Sequence, residues 1–207
     1  MNPYLELIEI LKDHGVHFAP GLPAEEIAEA ETFYGITFPQ SLRDFYACGL
    51  PVSTDEPVGI FSRDDWFPIW NDFSDENATE IKERMAYPVQ SVLWDVENGY
   101  WRKVWGERPE TMEEREAKCR AVFVDAPKLI PVHAHRYVPQ RAGVNDPPII
   151  SVRGLDAIYY GADLTDYLYR EFLRDIPHDR RDPDITISVW SDIIEGTNDG
   201  STWKWTK

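Results

Sequence analysis

Apolar residues in this chain keep helical spacing through the first fifty positions and strand spacing from Leu129 to Tyr160. Helices gathered early, strands gathered late and no strand–helix–strand alternation point to an α+β fold. The expected architecture has helices packed on one face of a twisted, largely antiparallel sheet.

The early helices carry start and stop signals that agree with one another. Tyr4, Leu7, Ile8 and Leu11 fall at i, i+3, i+4 and i+7, and Gly15 follows as a stop. Pro23 opens a second helix, where its missing N–H costs nothing, and Glu25-Glu26 suit the positive end of the helix dipole. Its expected buried stripe is Ile27, Ala30, Phe33 and Tyr34, closed by Gly35. A short extended piece, Ile36 to Phe38, leads to Pro39 and a third helix with Leu42, Phe45 and Tyr46 on one face.

The middle is less regular. Val58, Ile60 and Phe61 suggest a short strand, and Ser74 is placed to cap a helix running to about Ala86. Val92, Trp94 and Val96 alternate ahead of Asn98-Gly99, a strong hairpin turn signal. A hairpin returning along Tyr100 to Trp105 is therefore expected. Thr111 caps a further helix carrying Met112, Arg115, Cys119 and Val122 along one side. Beyond it, Leu129 to His133 reads as a strand followed by a polar loop through Asn145-Asp146-Pro147-Pro148. Ile149 to Val152 and Ala157 to Tyr160 read as two strands about a Gly154 turn. Gly161 and Asp163 introduce a helix with Leu164, Tyr167, Leu168 and Phe172. Ile185, Ile187 and Val189 alternate before the Trp203 and Trp205 end, and no internal repeat occurs.

The run Gly21-Leu22-Pro23-Ala24-Glu25-Glu26-Ile27, then Glu31, Gly35-Ile36-Thr37-Phe38-Pro39 and Leu42-Arg43-Asp44-Phe45-Tyr46, resembles the opening signature of the SUKH superfamily (Smi/Knr type). Leu129-Ile130-Pro131-Val132, Ile158-Tyr159-Tyr160 and Asp163-Leu164 with Tyr167-Leu168 resemble its C-terminal order. On that resemblance, residues 1–207 form one domain with a Trp-rich insertion near 90–125 and a C-terminal extension over 177–207. The chain departs from the family pattern at Cys48-Gly49-Leu50-Pro51, where an Asn-Gly or Gly-Gly turn is usual. The resemblance implies a non-catalytic binding protein. Similar bacterial members are immunity proteins that neutralise polymorphic toxins, often nucleases or deaminases; similar eukaryotic members are regulatory interaction proteins.

Charge narrows the partner. There are 37 acidic and 21 basic residues, a formal charge of −16, and no long basic run. That field repels nucleic acid and speeds encounter with a basic protein, such as a basic toxin domain. No apolar stretch approaches the ~18 residues of a membrane span, so the expectation is a cytoplasmic protein with a protein partner, no nucleic acid and no membrane. Cys48 and Cys119 lack Cys-x-x-Cys spacing and read as free thiols.

Few residues carry a chemical signal. His133 and His135 stand two apart on a strand end, so both could face one way and begin a metal site with Asp146 or Asp125. No second motif fixes the remaining ligands, and a structural role for the segment is expected. Asp64-Asp65 beside Trp66, Phe67 and Trp70 could be read as paired carboxylates with a stacking platform, but adjacent residues cannot span a glycosidase cleft. There is no phosphate-binding glycine loop and no G-x-S-x-G elbow. The chain is expected to hold no catalytic residue, no metal and no cofactor, and not to be an enzyme. Trp66, Trp70, His133, His135, Arg136 and Tyr137 are the expected partner-binding residues, because aromatics and arginine dominate interface hot spots.

Overall fold

Seven α-helices and six strands in two antiparallel sheets make up residues 2–53 and 66–196, the part described by the computed structural model. The fold is α+β, as expected. The N-terminal layer holds α1 (Tyr4–Asp13), α2 (Ala24–Tyr34) and α3 (Gln40–Cys48). A small sheet brackets it, pairing β1 (His17–Ala19) antiparallel to β2 (Leu50–Val52). Neither short strand has a legible period in the sequence.

The residues of the opening signature are structural. Glu31 accepts a hydrogen bond from Phe38 N–H at 2.7 Å and pairs with the Arg43 guanidinium, which fixes the turn between α2 and α3. Gly35 ends α2 in the left-handed region at φ 62°, a conformation that costs glycine nothing. Tyr4, Leu7, Ile8, Leu11, Ile27, Ala30, Leu42, Phe45 and Tyr46 are buried as expected. Phe33, placed in the buried stripe by spacing, is exposed, with Lys82 Nζ 4.9 Å over its ring.

The central helix α4 (Asp75–Glu97) starts where Ser74 predicts and runs eleven residues past Ala86. The Val92–Trp94–Val96 hairpin does not form. Val92, Leu93 and Val96 bury on one side while Trp94 points outward, which is helical spacing rather than strand alternation. Asn98-Gly99 ends this helix instead of turning a hairpin, with Gly99 at φ 105°. Pro88 lies inside α4, where it removes a hydrogen bond at a cost of about 3 kcal/mol. Burial of Val92, Leu93 and Val96, at roughly 1.5–3 kcal/mol each, offsets that cost. A 3₁₀ turn (Lys103–Trp105) replaces the expected return strand, and α5 (Met112–Val122) follows with a full Thr111–Glu114 capping box.

The main sheet is a meander of β3 (Leu129–His133), β4 (Arg136–Pro139), β5 (Ile149–Arg153) and β6 (Asp156–Gly161) in that order. β4 occupies the start of what reads as a polar loop. Helices cover both faces of this sheet rather than one. Ile130, Val132, Val138 and Ile149 face a core shared with α1, α2, α3 and α6 (Leu164–Phe172). Leu129, Tyr137, Ile150, Val152 and Ala157 face the second core, shared with the C-terminal half of α4, α5 and α7 (Trp190–Glu195). The two sets alternate along the strands, as the period of two requires. Ile185, Ile187 and Val189 do not form a strand; Ile187 anchors an irregular segment whose end is α7. The expected strand at Val58–Phe61, the Asp64-Asp65 pair and the Trp203–Trp205 end lie outside the described residues.

Candidate functional site

The β3–β4 turn separates the two histidines. A register shift between Pro131 and His133 turns His133 into the core, where its ring stacks on Phe67 at 4.4 Å. Its Nδ1 shares a 3.1 Å hydrogen bond with the Tyr167 hydroxyl. Burial, with Glu171 nearby, holds that phenol well above its ordinary pKa. Ala134, at φ 47°, and His135 make the turn, which Ala134 N–H ties to Trp66 C=O at 2.8 Å. His133 and His135 therefore do not face one way. Asp146 instead accepts from Leu164 N–H at the start of α6, and Asp125 is exposed after α5. Among the described residues, no group of three or more His, Cys, Asp or Glu side chains is placed to hold a metal ion.

Burial removes four of the six expected contact residues from the surface. Trp70 and Tyr137 are completely buried, His133 almost so, and Arg136 is more than nine-tenths buried. Trp70 packs edge-on against Tyr34 and Phe38, and Tyr137 lies in the second core. Trp66 is half-buried with the Arg84 guanidinium 4.7 Å over its ring, and His135 is partly exposed. Aromatic content alone does not separate core tryptophans from surface ones, so Trp66 and Trp70 read alike before the fold is known.

Two surface features stand out. One is a groove of about 390 Å³ on the sheet beside α6, lined by the charged pairs Arg136, Arg153 and Asp156, Glu171 together with His135, Ser151, Ile158 and Tyr160. Arg136 donates to His135 Nδ1 at 2.8 Å and to Glu171 Oε2 at 3.2 Å, and its guanidinium lies 4.3 Å from the Tyr160 ring centre.

The other is a stripe on α4. Glu83, Tyr87, Gln90, Trp94 and Glu97 fall at i, i+4, i+7, i+11 and i+14, and all five are exposed. Tyr87 is 41% and Trp94 58% exposed, two turns apart on one line. The opposite side of the same helix carries Ile81, Pro88, Val92 and Asp95, all buried. The stripe was concealed in the sequence because Trp94 reads as one member of a strand. Recasting residues 75–97 as a helix exposes it.

No family model, curated protein or solved structure matches the chain. No helix among the described residues is long and apolar enough to cross a membrane.

Proposed function

We propose that this chain is a non-catalytic partner-binding protein of the SUKH type and, in a bacterial setting, an immunity protein that covers a basic toxin domain. The observation that carries the reading is the α4 stripe. A tryptophan and a tyrosine held outward on a rigid helix, bracketed by Glu83 and Glu97, combine the residue types that dominate interface energetics with a charge that suits a basic partner. The two rings would supply apolar area at small entropic cost, because each has only two side-chain torsions to fix. The carboxylates, with the charge of −16 behind them, would accelerate encounter and select against acidic surfaces. The signature over residues 21–46, whose Glu31 and Gly35 hold the N-terminal layer together, is consistent with the same family reading.

Affinity capture from the native organism, washed at low and at high salt, tests the proposal. Recovery of one basic nuclease or deaminase, released by salt, is the expected result. Recovery of a host regulatory protein would move the function from immunity to regulation. Absence of any partner at either salt would overturn the binding role.

A further inference from the structure

The exposed positions Glu83, Tyr87, Gln90, Trp94 and Glu97 of α4 are spaced alternately four and three residues apart. That is the seam of a heptad repeat, with the two rings at one set of positions and Glu83, Gln90 and Glu97 at the other. We propose that this seam receives an α-helix of a basic partner, whose cations face Glu83 and Glu97 and whose apolar side chains receive the two rings. The assignment rests on α4 being the partner-binding face and names what that face takes.

Three observations support it. First, both carboxylates are available. Among the described residues neither Glu83 nor Glu97 forms an ion pair, whereas Glu80 is matched by Arg84 at 3.6 Å. Lys82 and Arg84 are the two cations of α4, and both are engaged elsewhere, over the Phe33 and Trp66 rings. Second, the shape is that of a ridge. A convex line of side chains on one helix offers no strand edge to extend, and it packs along the surface of another helix. At about 1.5 Å per residue, the glutamates stand about 21 Å apart, with the rings about 10 Å apart between them. A facing helix therefore needs Lys or Arg about four turns apart, with apolar residues between. Third, charge disfavours a second copy of this chain as the occupant. Two α4 helices paired antiparallel about Gln90 would set Glu83 against Glu97 of the other copy at both ends, on molecules that each carry a charge of −16.

Synthetic peptides serve as probes. One is an alanine-rich helix of about 20 residues with blocked ends, carrying two lysines about four turns apart and leucines at the heptad positions between. A second has glutamate in place of both lysines. A third is the lysine peptide with central prolines, which prevent the helix. Amide resonances of the full-length protein are followed by NMR during each titration at low salt. The expected result is saturable shifts over residues 83–97 with the lysine helix, in the millimolar range or tighter, and binding about tenfold weaker for the other two. In the Glu83→Lys/Glu97→Lys protein, whose changes lie at exposed positions, preference should reverse toward the glutamate helix. No saturable shift on α4, equal response to the lysine and glutamate helices, equal response to the proline peptide, or unchanged preference in the folded variant would each overturn the assignment. So would a wild-type dimer in sedimentation that Trp94→Ala dissociates, which would seat a second copy on the seam. Loss of partner capture by a Tyr87→Ala/Trp94→Ala protein, with no response of wild type to the lysine helix, would keep α4 as the binding face and remove the helical occupant.

Discussion

The Asp95 carboxylate on α4 occupies the space that a Cβ on Gly154 would need, its Oδ2 lying in direct clash with that position. The same oxygen accepts the Leu155 N–H at 2.8 Å, and Ser91, one turn earlier, accepts the Gly154 N–H at 3.2 Å. The β5–β6 turn is thus docked directly onto the central helix. Gly154 also sits at φ 64°. Gly154→Ala should therefore lower stability by about 2 kcal/mol or more, combining left-handed strain with the clash, and denaturant unfolding measures it.

Asp95 itself carries a cost. Burial raises its pKa above the ordinary carboxylate value, and the Leu155 hydrogen bond only partly opposes that shift. A carboxyl raised in the folded state opposes folding while ionised, so its penalty disappears as pH falls below the folded value. Asp95→Asn keeps the acceptor oxygen without the charge. It should stabilise the protein at pH 7, with the difference from wild type shrinking toward acid. A constant difference across pH would contradict this account.

Asp166 behaves in the opposite sense. It is completely buried, and burial alone would raise its pKa. The Ala162 N–H at 2.8 Å, Arg170 at 2.8 Å and His178 at 2.9 Å outweigh that effect and lower it. The stability it contributes is present above the unfolded carboxylate value, about 3.9, and is lost as pH falls through the lower folded value. Asp166→Asn should cost about 3 kcal/mol at neutral pH by leaving Arg170 without its buried carboxylate. The deficit should narrow below pH 4, which thermal melts across pH will detect.

The two thiols should differ in reactivity. Cys119 is buried against the second core, and its pKa is pushed up to about 12 by desolvation. Cys48 is only partly buried, although burial and Asp44 also raise its pKa. An aromatic disulfide reagent should label Cys48 slowly in the native protein and Cys119 only on unfolding. Fast native labelling of Cys119 would show that α5 does not pack as described.

What the sequence reveals here depends on whether a signal has one structural meaning. Ser74, Thr111 and Asp163 all cap helices as expected, because a short polar side chain ahead of an apolar period has little else to do. Asn98-Gly99 has two meanings, hairpin turn and helix end. Packing of Val92, Leu93 and Val96 decides between them through contacts distant in sequence. The candidate surface was hidden for the same reason: Trp94 on a strand suggests a core residue, and Trp94 on α4 is a surface one. The sheet groove was half legible. His135 and Arg136 are neighbours in the sequence, but Ser151, Arg153 and Tyr160 join them only through cross-strand register.

The central claim is that the α4 stripe is the partner-binding face. The most direct test is affinity capture with wild-type protein beside a Tyr87→Ala/Trp94→Ala double variant, after circular dichroism shows that both fold alike. Both side chains project outward, so the fold should survive. Loss of two exposed aromatic anchors should remove about 2–4 kcal/mol of binding, at least a thirtyfold drop in affinity. Recovery of the partner by wild type and not by the folded variant is the expected result. Equal recovery by both would contradict the account and place the interface elsewhere on the molecule.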